Sequence, residues 1–162
     1  MYGKLIITEK VFEETVTQGT KRGYPDAFLI WKYVIEGTIT VIEATKEIYM
    51  KKISASNRLY KLGQGEWETI IEAKNESCTA LIDDLLARKI AKEESVTAIP
   101  IDIVLIEALI RHKLTENEFY SLLNKVSKVK ALTGARIAEI IYLVRLILKY
   151  LLRKKFEGPQ NE

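Results

Sequence analysis

The sequence predicts an α/β fold, a mainly parallel sheet sandwiched by helices with a helical segment at its C-terminal end. Three observations carry that expectation. Short β-rich runs alternate with stretches of helical spacing as far as Pro100, the pattern from Ile101 onward is helical alone, and glycine or proline marks most changes of pattern. A chain of 162 residues suits one domain with a core that needs no covalent staples. The expected division is an α/β core over 1–112, a helical extension of the same domain over 113–156, and a polar tail over 157–162.

Lys4 to Thr8 reads as the first strand, with Thr8 placed to cap a helix from Glu9. Val11, Phe12, Thr15 and Val16 then recur at helical spacing, with Glu13 and Glu14 between them, and Gly19 and Gly23 punctuate the end. Pro25 and Asp26 open a second helix through Trp31 to Ile35, which Gly37 stops. Thr38 to Glu43 alternates and is β-branched, so it is a second strand. The next break is Leu62 to Gly65, followed by a helix from near Glu66 that turns Ile70, Ile71 and Ala73 inward. Thr79 to Ile82 is a strand ending at Asp83 and Asp84, Leu85 to Glu93 is helical, and Val96 to Ile99 is a strand closed by Pro100.

Beyond it, Asp102 to His112 forms one helix, and Thr115 with Glu118 makes a capping box for a second. Thr133 to Phe156 forms a third, strongly apolar helix. Glu139, Arg145 and Lys149 interrupt its apolar run, which argues against a membrane span. Its apolar surface is wider than one core-facing stripe, as an oligomer interface or a groove for a partner helix requires.

Composition narrows the function classes. Cys78 is the one cysteine, so no disulfide framework exists, and its apolar flanks predict an inert core thiol in a reducing, cytoplasmic setting. No signal peptide is evident. Charged residues make up 29% of the chain, rich in Lys and Glu, a weak thermophile tendency. Residues 1–100 carry 14 basic and 15 acidic side chains, whereas 101–162 carry 11 and 7. The second half is therefore basic, compatible with a polyanionic partner and equally with a solvated face. His112, the only histidine, falls on a helix among apolar residues and reads as structural.

Chemistry concentrates between Leu62 and Arg88. Glu66 and Glu68 stand at a glycine-marked helix start, where acids also simply complement the helix dipole. Asp83 and Asp84 follow a buried strand, where one cap would suffice. In a parallel α/β sheet, groups beyond the carboxyl ends of the strands converge, so Glu14, Glu66 and Asp83 or Asp84 are candidates to meet. Converging carboxylates repel, and a hard cation such as Mg2+ or Mn2+ is the usual remedy. Such an ion also serves phosphodiester hydrolysis without any histidine.

The runs L-I-I-T and V-F-E-E-T-V, then G-Y-P-D-A, L-G-Q-G-E-W-E-T-I-I-E-A and L-I-D-D-L-L-A-R-K-I-A resemble the successive motifs of PIN-domain proteins. L-T-E-N-E-F-Y-S-L-L-N-K-V at 114–126 resembles the basic helical segment of one prokaryotic PIN-like group. The resemblance covers about residues 2–145. It implies a Mg2+- or Mn2+-dependent endoribonuclease, often the toxin of a toxin-antitoxin pair and commonly a homodimer. Its expected partners are therefore RNA and an antitoxin-like protein. By position, Glu14, Glu66 and Asp84 match the family's metal-binding acids, with Asp83 a one-residue alternative, so all four are catalytic candidates. Arg88 and Lys89 are the nucleic-acid-binding candidates. The family's opening strand, ending in its leading aspartate, has no counterpart here, so the resemblance also implies a weakened site. A PIN-fold protein that dimerises or binds a partner through its apolar C-terminal helix is the non-catalytic alternative. A phosphatase of another α/β family would need a nucleophilic aspartate or phosphate loop, and neither motif is recognisable.

Overall fold

The structure is a computed structural model in which residues 3–45 and 62–157 are described. Contacts divide it into two compact units, residues 2–100 and residues 101–162. Of the expected tail over 157–162, Glu157 is the last residue of a helix and 158–162 lie outside the described residues.

The first unit begins with β1 (Leu5–Thr8), which pairs in parallel with β2 (Ile39–Ile42), Leu5 opposite Ile39 and Thr8 opposite Ile42. Thr8 ends the strand and starts the next element, because its Oγ1 accepts the Val11 N–H at 3.3 Å. From there the chain runs through α1 (Glu9–Phe12), a π-helical turn (Glu13–Thr17) and α2 (Gln18–Lys21). Within this run Thr15 Oγ1 donates to the Val11 carbonyl at 2.7 Å. Gly23, at φ 74°, turns the chain into α3 (Pro25–Ile35), and Gly37, at φ 73°, ends the turn after it. Proline at the first position of α3 forfeits only an N–H that would have had no helical partner.

Helix α4 (Gln64–Asn75) packs against β1 and α1 and also against β3 (Ala80–Leu81) and α5 (Leu85–Glu93). β3 pairs in parallel with β4 (Ala98–Ile99), and the Ile82 N–H extends the ladder to the Ile99 carbonyl at 3.0 Å. Ile70, Ala73, Ala80, Ile82, Ala87 and Ile90 form the core here. The α/β class and parallel pairing follow the sequence expectation. Among the described residues, however, the strands make two separate parallel pairs, and no described strand joins β1 to β3.

The second unit is helical: α6 (Ile101–Ile110), α7 (Glu116–Val129) and α8 (Gly134–Glu157). Thr115 and Glu118 form the expected capping box. Phe119, fully buried, anchors a core with Leu105, Ile106, Leu123, Ile140 and Val144. Among the described residues no helix is long and apolar enough to cross a membrane.

Two sequence expectations are corrected. Cys78 is exposed, not a core thiol. Ser77 before it takes φ 51°, and the Cys78 N–H closes the end of α4 on the Ala73 carbonyl, so the residue belongs to a turn. His112 is also exposed. It lies beyond α6 at φ 54°, a left-handed turn residue and not a helix-face one.

Candidate functional site

The acids predicted to act together all belong to the first unit. Glu14 stands in the π-helical turn, a distortion frequent at functional sites. Its carboxylate reaches the first turn of α4 because residue 65 is glycine. A Cβ there would lie 3.0 Å from Glu14 Oε2 and 3.3 Å from Val11 Cγ2. Two segments fifty residues apart in sequence thus bring a carboxylate to a helix N-terminus, whose dipole favours negative charge.

Glu66 occupies the third position of α4, and its Oε2 accepts the Gly63 N–H at 3.1 Å. Asp84 caps α5, with Oδ1 accepting the Ala87 N–H at 2.7 Å. Asp83 and Asp84 are exposed. Arg88 donates to the backbone carbonyls of Ile82 and Asp83, so the guanidinium braces the turn that carries both aspartates. Lys89, next to it, is exposed.

Glu68, grouped with Glu66 in the sequence as an acid of the helix start and left out of the candidate ligands, separates from it in the structure. Glu68 is only 4% exposed, and Gln64 Nε2 donates to its Oε1 at 2.8 Å. Gly65, Glu68 and Glu72 share one buried face of α4, and Glu72 accepts the Thr45 N–H at 2.8 Å. Their spacing of three and four was the available signal, because it groups Glu68 with Gly65 and separates it from Glu66. Lys10 supplies the positive charge at this end. Its Nζ lies 2.8 Å from Glu13 and 4.0 Å from Glu14. Beside that ammonium the Glu13 carboxyl is held below its ordinary range, while hydrogen bonding to Glu13 raises Lys10.

A family profile described as a PIN domain matches residues 1–145. The chain belongs to the PIN-domain family. No curated protein and no solved structure matches it. The PIN domain is a nuclease-type fold, generally dependent on a divalent metal and generally RNA-binding.

The donors of the candidate site suit such an ion in kind. Carboxylate oxygens are hard ligands, and the exposed thiol and histidine described above take no part. They do not suit a cage of protein ligands. Among the described residues no group of three His, Cys, Asp or Glu side chains is placed to hold a metal, and no buried side-chain polar atom lacks a partner. Mg2+ usually takes one or two protein carboxylates and completes its shell with water and substrate phosphate oxygens. Of the expected acids, Glu14 comes to the helix start that bears Glu66, while Asp84 stands at the start of another helix, so only that mode is open to them.

Proposed function

We propose that this PIN-domain protein is a metal-dependent endoribonuclease of the toxin type, hydrolysing RNA phosphodiester bonds. One or two of Glu14, Glu66 and Asp84 would hold Mg2+ or Mn2+, water and substrate phosphate oxygens supplying the remaining ligands, with Asp83 as the adjoining acid and Arg88 and Lys89 beside the RNA backbone. The observation that carries this reading is the Glu14 carboxylate lying over Gly65 at the start of α4. It brings an acid from the segment after β1 to the helix start that bears Glu66, as a site at the carboxyl ends of parallel strands requires.

When bound, the cation would neutralise charge gathering on the phosphodiester. The chain's own groups do the rest. Glu66 and Asp84 each give an oxygen to a helix cap, which fixes the carboxylate and leaves its second oxygen for the ion. Arg88 holds the Asp83 turn through its carbonyls. Lys10 keeps Glu13 charged and stands 4.0 Å from Glu14. The toxin-type reading adds an antitoxin-like protein as partner and a homodimer as the assembly, the latter through an exposed apolar stripe on α3.

Calorimetric titration with Mn2+ tests the site. Glu66→Gln with Asp84→Asn removes two charges while keeping both caps, since Gln and Asn serve those positions as well. The wild type should take up Mn2+ and cleave RNA. The double variant should bind about tenfold more weakly or worse, because ligand charge count sets affinity in oxygen sites. A wild-type chain that neither takes up the ion nor cleaves RNA overturns the reading.

A further inference from the structure

Helix α8 presents two unlike sides. Ile140 and Val144 are buried in the core of the second unit, and Ile141, Ile147 and Leu148 pack partly against it. The opposite side is open. At 3.6 residues per turn, Tyr142, Arg145, Leu146, Lys149, Tyr150 and Arg153 fall within an arc of about 140°, centred away from Ile140 and Val144. Tyr142 is 65% exposed and Tyr150 57%, and all three cations are exposed. No acidic residue occurs between 142 and 153.

We propose that this face of α8 is a platform for single-stranded RNA, with Arg145, Lys149 and Arg153 on phosphates and Tyr142 and Tyr150 stacked on bases. It deepens the ribonuclease reading by naming where the strand is held, and it rests on that reading only for the identity of the nucleic acid. Charge complementarity selects the occupant. Between Arg111 and Lys155 the sequence carries 11 basic and 3 acidic side chains, an imbalance suited to a polyanion. A second copy of this face would set like charges against one another, which an interface disfavours, whereas phosphates complement a cation on every turn. The two tyrosines, about 12 Å apart along the axis, offer ring faces that pair with unstacked bases, which a duplex does not present.

The test is fluorescence anisotropy with the full chain and a labelled single-stranded RNA of about 12 nucleotides, within the usual site sizes of such platforms. EDTA is present throughout, so that binding is read without cleavage. Replacing Arg145, Lys149 and Arg153 together by alanine should weaken binding and flatten the dependence of log K on log salt by about 2, the value for three phosphate contacts on a single strand. Tyr142→Leu with Tyr150→Leu should weaken binding about tenfold or more and leave the salt slope unchanged, because leucine keeps the apolar surface and loses the stacking face. Circular dichroism of each variant should match the wild type, as expected for exposed positions. Wild-type affinity in both variants, or duplex RNA bound as tightly as the single strand, overturns the platform. So does a tyrosine variant that loses self-association in light scattering while binding RNA normally, which would make the face a protein interface. Cleavage is scored separately in Mg2+. RNA bound through these residues but never cleaved sinks the ribonuclease reading alone, whereas RNA cleaved with no effect of either variant on binding sinks the platform alone.

Discussion

Asp102 and Arg136 show how much a single side chain can decide. Asp102 is buried on α6, its Oδ2 is paired with the Arg136 guanidinium from α8, and Arg136 also holds Glu139 at 2.8 Å. Both partners raise the arginine's affinity for its proton, Glu139 first and Asp102 next. Arg136→Ala leaves the Asp102 charge buried without its partner and should lower stability by about 3 kcal/mol, towards the low end for a broken buried pair because Arg136 is partly exposed. Urea unfolding should show the loss in the midpoint with an unchanged slope. Glu139→Ala, which removes an exposed partner, should move it by less than about 1 kcal/mol. Glu118 carries a pH signature. The Thr115 N–H and hydroxyl both donate to its carboxylate and hold it below the usual glutamate range. The stabilisation is therefore complete above the unfolded glutamate value and fades as pH falls through the lower folded one. Thermal unfolding should find Glu118→Ala less stable than wild type at neutral pH, the two converging in acid. That cap was legible in the sequence, because capping chemistry spans four residues. The burial of Glu68 was not, since its neighbours on the same face had to be known before Glu66 and Glu68 could be told apart.

At the scale of elements, the contact between α2 and α3 depends on one missing side chain. Gly19 is buried, and a Cβ there would meet Ala27 Cβ at 2.9 Å. Gly19→Ala must push the two helices apart. The helix-propensity gain of up to about 1 kcal/mol falls short of an overpacking cost of about 1–3 kcal/mol. The net expectation is destabilisation of about 1 kcal/mol in chemical unfolding, and a more stable variant would refute the close approach. Helix starts read well from sequence, Thr8, Pro25 and Thr115 each doing what their side chains predict. Strand partnership read less well. Short apolar runs identify β1 and β3 as strands and alternation identifies β2, but which edges pair depends on residues distant along the chain, and the split into two parallel pairs left no local trace. The apolar excess expected of α8 divides between residues packed inside its own unit and exposed Tyr142, Leu143, Leu146 and Tyr150, which stand among cations.

At the scale of the molecule, α3 leaves a row of large apolar side chains exposed. Its one fully buried residue is Ala27, while Tyr24, Phe28, Trp31 and Ile35 are exposed. Their spacing of four, three and four is that of a helix-pairing seam, and contiguous exposed apolar groups of this kind mark interaction surfaces. A two-fold axis across this stripe would bury each seam against its own copy, as self-complementary dimers do. Light scattering after size exclusion should therefore give twice the 18.6 kDa of the chain. Phe28→Glu with Trp31→Glu should give the monomer, because burying two carboxylates opposite two more costs more than the seam returns. Tyr142→Leu with Tyr150→Leu should leave the mass at the dimer value, since the RNA platform and the seam are assigned to different helices. A wild-type chain that stays monomeric at high concentration removes the seam from the assembly, and a dimer unmoved by the α3 charges relocates it to another surface.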